Sequence, residues 1–282
     1  MVNLKRSLAR KDDVTRIKTP IARSRPRKLG FATSVGKVRR VDEDAILAMD
    51  VGTAFLSEAR ARLLLIVADG MGGHRRGDVA SRIAVQTAVS TLLPPLTRDD
   101  EISTATYYRD LQAAVADANR AILAKARANP ECEGMGTTLS IAVMDGRTLH
   151  VANVGDSRIY IVNDREICQV TRDHSLVQEM VDRGELSPSE ARHHPRKNVI
   201  TRVVGYYGEV TPDIGCLTLV RGDMVLLCCD GLTNHVEDLE IQRVVAESTD
   251  PQQACETLVA MANEDGGTDN ISVILAPAAT SV

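Results

Sequence analysis

Apolar and polar positions alternate along this chain in two recognisable ways. Residues 63–68 form an unbroken apolar run of the length expected for a strand covered on both faces. Strand-like runs also occupy 138–144, 149–154, 158–162, 167–170, 224–229 and 271–276, and a first strand begins near Gly30. Turn signals separate several of them, notably Asp145-Gly146 and Asn163-Asp164. Segments 79–93 and 107–128 have the length and Ala/Leu/Arg content of helices, with Pro94-Pro95 expected to stop the first. Segments 175–184 and 187–193 read as two short helices. Ser187 with Glu190 forms an S-x-x-E capping box there, and Pro188 takes the first helical position. Segments 238–247 and 251–263 predict two further helices. Strands joined by hairpin-like turns, with helices grouped in pairs, argue for antiparallel sheets flanked by helices rather than a doubly wound sheet.

The composition narrows the class. With 282 residues, 44% of them hydrophobic, the chain can build one large domain or two small ones. Aromatics make up only 2% and Trp is absent, so the core is aliphatic, and platforms that stack bases or sugars are disfavoured. Six cysteines lack CxxC spacing and sit mostly in apolar runs, which reads as reduced thiols in a cytoplasmic protein. No apolar run approaches the ~18 residues of a membrane span, and the amino-terminal region has no apolar signal segment. The net charge of −4 conceals an asymmetry. Residues 1–28 hold ten Lys or Arg against Asp12 and Asp13, while the rest of the chain is acidic. This basic arm, which includes Pro20 and Pro26, reads as a flexible extension. An acidic body makes nucleic-acid binding improbable, and no P-loop or G-x-G-x-x-G follows a strand.

Candidate chemistry comes from three places where an apolar run gives way to an aspartate. They are LLLIVADGMGGH (63–74), MVLLCCDGLTN (224–234) and GGTDNISVIL (266–275). An ionised Asp at the mouth of a buried strand is costly unless something cationic satisfies it, so three in matching context suggest strand ends converging on metal ions.

Six motifs then occur in order: GKVRRVDED (36–44), DGMGGH (69–74), GMGTT (134–138), ANVGDSRIY (152–160), CDGL (229–232) and GTDN (267–270). Together they resemble the metal-dependent serine/threonine protein phosphatases, the PPM or protein phosphatase 2C family. The likeness covers roughly 30–276, within an expected phosphatase domain at 29–278, and 171–205 looks like the flap of the bacterial branch. The resemblance implies an α+β fold, a four-layer α-β-β-α sandwich of two antiparallel sheets. It also implies two Mn²⁺ or Mg²⁺ ions activating a water against phosphoserine or phosphothreonine, because hard cations prefer oxygen donors to Cys or His. By the same resemblance Asp69 bridges both ions, Gly70 offers its carbonyl to one, and Asp230 and Asp269 complete the other. Glu43 and Asp44 hold ion-bound waters. Arg39 is the phosphate-binding arginine, its planar fork suited to two phosphoryl oxygens. His74 is the candidate to protonate the departing oxygen.

Two departures from the family pattern stand out. Asp42 replaces the usual Asn before the Glu-Asp pair, a change expected to matter little. Asn234 occupies a position where related bacterial enzymes often carry an aspartate that, with the counterpart of Asp156, binds a third ion. A weaker third site is therefore expected. Flap residues Arg183, Arg192, Arg196, Lys197 and Arg202 either guide phosphopeptides or form a solvated helix face. The arm reads as a solubilising tail, as a docking site for an acidic partner or anionic lipid, or as a stretch of phosphosites at Ser7, Thr15, Thr19 and Ser24. The implied partners are phosphorylated proteins and a cognate serine/threonine kinase. The rival reading is a catalytically silent pseudophosphatase that binds phosphoproteins as a scaffold, against which the retained Asp69, Asp230 and Asp269 argue.

Overall fold

The computed structural model describes residues 28–54, 62–71, 76–98, 100–206 and 208–278. The basic arm up to residue 27 and His74 lie outside the described residues. Eleven strands form two antiparallel sheets among those described. One sheet runs β1 (Gly30–Ser34), β11 (Ile271–Pro277), β10 (Met224–Cys228), β7 (Arg158–Val162), β8 (Ile167–Gln169). The other runs β2 (Asp44–Asp50), β3 (Arg62–Met71), β5 (Leu139–Asp145), β6 (Thr148–Val154), β9 (Asp213–Thr218), with the short β4 (Gly136–Thr137) paired to the end of β3.

The period-two geometry of a strand explains why β3 is apolar at nearly every position. Leu63, Leu65 and Val67 meet Ile159, Val225, Leu227 and Ile274 of the opposite sheet in a central aliphatic core. Leu64, Ile66 and Ala68 point the other way, onto α2 (Gly77–Leu96) and α3 (Thr104–Ala128). On the far side Leu226, Cys228, Val273 and Leu275 pack against α7 (Asp238–Glu247) and α8 (Pro251–Glu264). The layers are therefore helix, sheet, sheet, helix, as the family resemblance implies.

Most elements lie where the residue pattern puts them. Helix α2 differs, for it runs through Pro94 and Pro95 to Leu96. Each proline removes one backbone donor in the closing turn. Leu92 and Leu96 are buried in the core beneath that turn, and their burial holds the helical path. Two single-turn helices, α1 (Val51–Ala54) and α6 (Asp230–Thr233), follow strand ends. Between β8 and β9 lie α4 (Leu176–Asp182) and α5 (Pro188–Arg192), and the capping box of α5 is formed in full. The bridge Ser175–Ile200 closes this flap on itself, and Thr137–Val204 ties it back to the sandwich.

Candidate functional site

Strand register makes the site. In the β2–β3 ladder Asp44 stands directly opposite Asp69. Like charges at such a pair are destabilising in a protein without a counter-cation. Asp230 begins α6 two residues after β10 ends, Asp269 lies two residues before β11 starts, and Asp156 lies in the β6–β7 turn, all at the same end of the sandwich. Burial, and then the charges of Asp44, Asp230, Asp156 and Asp269, push the Asp69 carboxyl well above the usual carboxylate range. Asp156 is pushed up in the same manner, by burial and then by Asp230, and Asp230 is raised by burial and then by Asp269. Asp44 is pushed up to about 7, chiefly by burial.

Asp44 and Asp156 lack the partners that buried charges normally have. Neither oxygen of Asp44 receives a hydrogen bond of good geometry, although the side chains of Ser272 and Cys229 lie close enough to favour its ionised form. One oxygen of Asp156 is likewise without a partner. A compact set of oxygen donors, buried and short of donors of its own, fits hard divalent cations such as Mn²⁺ or Mg²⁺.

The backbone leaves no slack around this cluster. Gly70 lies where a Cβ would come within 2.3 Å of the Gly77 carbonyl and 2.4 Å of the Glu43 carbonyl. Gly231 lies where a Cβ would meet the Asn270 carbonyl at 1.9 Å. The Asp-Gly pairs that by themselves suggest hairpin turns are instead points where two chain segments cross closely, at the start of α2 and beside β11. Glu43 is buried; burial raises its carboxyl, and Arg39 partly offsets that.

Arg39 reaches the cluster from the edge. Its Nη2 donates to Asp269 at 2.7 Å, and its Nη1 lies 3.9 Å from Glu43. Asp42 serves the turn, accepting from the Thr33 hydroxyl at 2.7 Å and from the Asp44 amide at 3.1 Å. Asn234 donates its amide to Asp230 at 3.0 Å. Beyond Asp156, Asp230 and Asn234 opens a cleft of about 500 Å³, walled by flap residues that include Val177, Arg192 and Lys197. Lys197 is near enough to Asp230 to favour its charge.

Sequence reasoning assigned no part in the site to several residues that organise it. Thr138 Oγ1 accepts from the Asp69 amide and Thr137 Oγ1 donates to the Asp69 carbonyl, each at 2.9 Å. Asn270 accepts from the Glu43 amide and donates to the Val35 and Val41 carbonyls, which fixes the loop carrying Arg39. Their signal was present in the GMGTT and GTDN motifs. Cys229 is the larger omission. A site of oxygen donors was expected, yet its thiol lies with the Asp44 and Asp69 carboxylates, ligand atoms all within 4.8 Å of one another.

The sequence model for protein phosphatase 2C matches residues 43–265. This chain belongs to the protein phosphatase 2C family. It is 37% identical over 247 residues to the serine/threonine phosphatase stp of Listeria innocua, covering 87% of this chain and 93% of that protein. The crystal structure of the serine/threonine phosphatase Stp1 from Staphylococcus aureus superposes with a TM-score of 0.79 at 34% identity, over 90% of this chain and 96% of that one. The catalytic domain of the serine/threonine protein phosphatase PstP, solved with two manganese ions, aligns with a TM-score of 0.73 at 35% identity, over 89% of this chain and 98% of that one. Among family members, then, the sandwich described here is the shared scaffold, and the acidic end is where this chain concentrates its unsatisfied charge.

Proposed function

We propose that this chain hydrolyses phosphoserine and phosphothreonine esters on proteins, using two Mn²⁺ or Mg²⁺ ions at the acidic end of the sandwich. The observation that carries this reading is the cross-strand Asp44–Asp69 pair, whose register sets like charges face to face with both Asp44 oxygens unpartnered, in a protein phosphatase 2C chain. Asp69, Asp230 and Asp269 would hold the ions with the Gly70 carbonyl, while Glu43 and Asp44 orient waters around them. When bound, such ions lower the pKa of water and neutralise phosphoryl charge.

The rest of the task falls to this chain's own side chains. Arg39 is kept beside the cluster by Asp269, so an Asp269 turned towards a cation releases a guanidinium fork for two phosphoryl oxygens. His74 is assigned to protonate the departing serine or threonine oxygen. Cys229 is no candidate for a covalent intermediate: burial, then Asp44 and Asp69, push its thiol well up, which suppresses the thiolate.

Relatives named as serine/threonine phosphatases support phosphoproteins as the substrate class and a serine/threonine kinase as the opposing activity. No helix among the described residues is long and apolar enough to cross a membrane, and a cytoplasmic setting fits the chain's reduced-thiol character. Of the three readings of the basic arm, docking an acidic partner is the one that its charge supports, with ten Lys or Arg against two Asp over residues 1–28.

Manganese-dependent phosphate release from p-nitrophenyl phosphate and from a phosphothreonine peptide tests the reading. It should vanish in Asp230→Asn. A wild-type protein that binds the phosphopeptide but never turns it over would instead be the scaffold.

A further inference from the structure

Cys229 follows the last residue of β10, and its side chain is held by the neighbouring strand. Its Sγ accepts from the Ser272 amide at 3.1 Å and faces the Asn270 carbonyl at 3.4 Å. Its own amide donates to the Ser272 carbonyl at 3.2 Å. The sulfur is thus fixed in place by β11 rather than free to rotate away. Beside it stands the Asp44 carboxylate, buried and with neither oxygen partnered, and across from that stands Asp69. These three side chains form the one cluster of Cys, His and acidic groups with metal-ligand spacing found among the described residues.

We infer that Asp44, Asp69 and Cys229 form a site for a thiophilic divalent cation, Zn²⁺ or Cd²⁺, which competes with Mn²⁺ or Mg²⁺ for the same acidic end. The inference rests on reading that end as a cation centre and adds a donor that reading does not use. Mg²⁺ and Mn²⁺ take oxygen donors and gain little from sulfur, whereas Zn²⁺ binds thiolate readily and ranks above Mn²⁺ for a given set of donors. On binding, the S–H bond breaks, a sulfur–metal bond forms and the proton leaves to solvent. The Ser272 amide then donates to the thiolate, as it does to the thiol. The consequence is an inhibitory cation held by one sulfur, at a centre whose other donors are all oxygen.

The test uses the full chain stripped of metal by a chelator, carrying Cys168→Ser and Cys216→Ser to remove the two exposed thiols. Titration with Co²⁺ should produce a sulfur-to-cobalt charge-transfer band in the near ultraviolet, and adding Cys229→Ser should abolish it. X-ray absorption at the zinc edge of the protein retaining Cys229 should show one sulfur bound to Zn²⁺, a measurement that stands even if Cys229→Ser fails to fold. At fixed Mn²⁺, the Zn²⁺ concentration giving half-inhibition should rise about tenfold or more in Cys229→Ser. Zinc bound by oxygen and nitrogen alone, with Mn²⁺ still driving turnover, overturns the inference and leaves the phosphatase reading standing. Calorimetry showing no cation bound at all overturns both.

Discussion

The two ends of strand β3 treat buried charge in opposite ways. At its start Arg62 is almost completely buried, yet it is enclosed by acceptors. Nη1 donates to the Leu96 and Arg98 carbonyls, Nη2 donates to the Asp100 carbonyl, and Nε lies 3.3 Å from Asp145. Asp145 in turn accepts from the Tyr107 hydroxyl at 2.9 Å, and Tyr107 stacks on His150. At the other end Asp69 faces Asp44 across the ladder, with three further aspartates raising its carboxyl. The same strand therefore carries one charge set against its opposite and one set against its like. Arg62 Nε makes no hydrogen bond of good geometry either, so it is the opposite charge of Asp145, rather than burial or a full set of hydrogen bonds, that separates the two ends.

Substitutions at the two ends should separate those roles. Asp69→Asn is expected to cut phosphatase turnover about a thousandfold or more, since several kcal/mol of charge stabilisation go with the bound ions. Its urea midpoint in chelator should match or exceed that of the wild type, because a repelling charge has been removed; a large loss of stability would erase the contrast. Arg62→Met should do the reverse, costing about 3–5 kcal/mol in urea unfolding while the folded fraction keeps its specific activity. Saturating Mn²⁺ should then stabilise the wild type by about 2.7 kcal/mol at a hundred times its Kd, and Asp69→Asn by much less, which differential scanning calorimetry can read.

A pH titration sharpens the comparison further. Burial holds the His150 imidazole below its usual value, with Asp145 opposing, and it faces Tyr107 and the Arg62–Asp145 pair. A depressed folded pKa means that the unfolded chain takes up the proton first. Stability from His150 is therefore complete above about pH 6.5 and is lost as pH falls below that value. His150→Phe should flatten that acid-side slope in melting temperature, and an unchanged slope would refute the assignment. The smallest effect is expected from Asn234→Asp. It replaces an amide donated to Asp230 by a further carboxylate, so the Mn²⁺ dependence of activity should shift several-fold towards a third ion. Identical metal dependence would remove Asn234 from the argument.

Much of this was legible in the residues alone, for physical reasons that differ between elements. The run at 63–68 could be read because each of its faces is buried by a different layer, so no polar residue interrupts it. The helices expected at 238–247 and 251–263 occur at Asp238–Glu247 and Pro251–Glu264, the first closed by a capping box at Glu237 and the second capped by Asp250. Strand β9 was not identified: it is an edge strand with Gly215 at its centre and most side chains in solvent, and it owes its existence to pairing with β6. β2 was missed as well, since its residues are only part-buried and its register with β3 is a tertiary fact. Asp69, Asp230 and Asp269 could be named because an Asp at the end of an apolar run is conspicuous, whereas Glu43, Asp44 and Asp156 could be named only through the family resemblance. The position of the Cys229 thiol could not, because a cysteine in an apolar run looks the same whether it faces a core or a carboxylate.

Asn270 has a bearing on how this protein comes into being. Through it the loop around Arg39 is fastened to a segment some 230 residues later in the chain, and β11 slots between β1 and β10 only once that segment exists. A ribosome must therefore deliver the chain through Pro277 before the acidic end can close. Nascent or truncated copies carry Asp69 but no Asp269 to join it, so the acidic end is completed only by the last of the described strands.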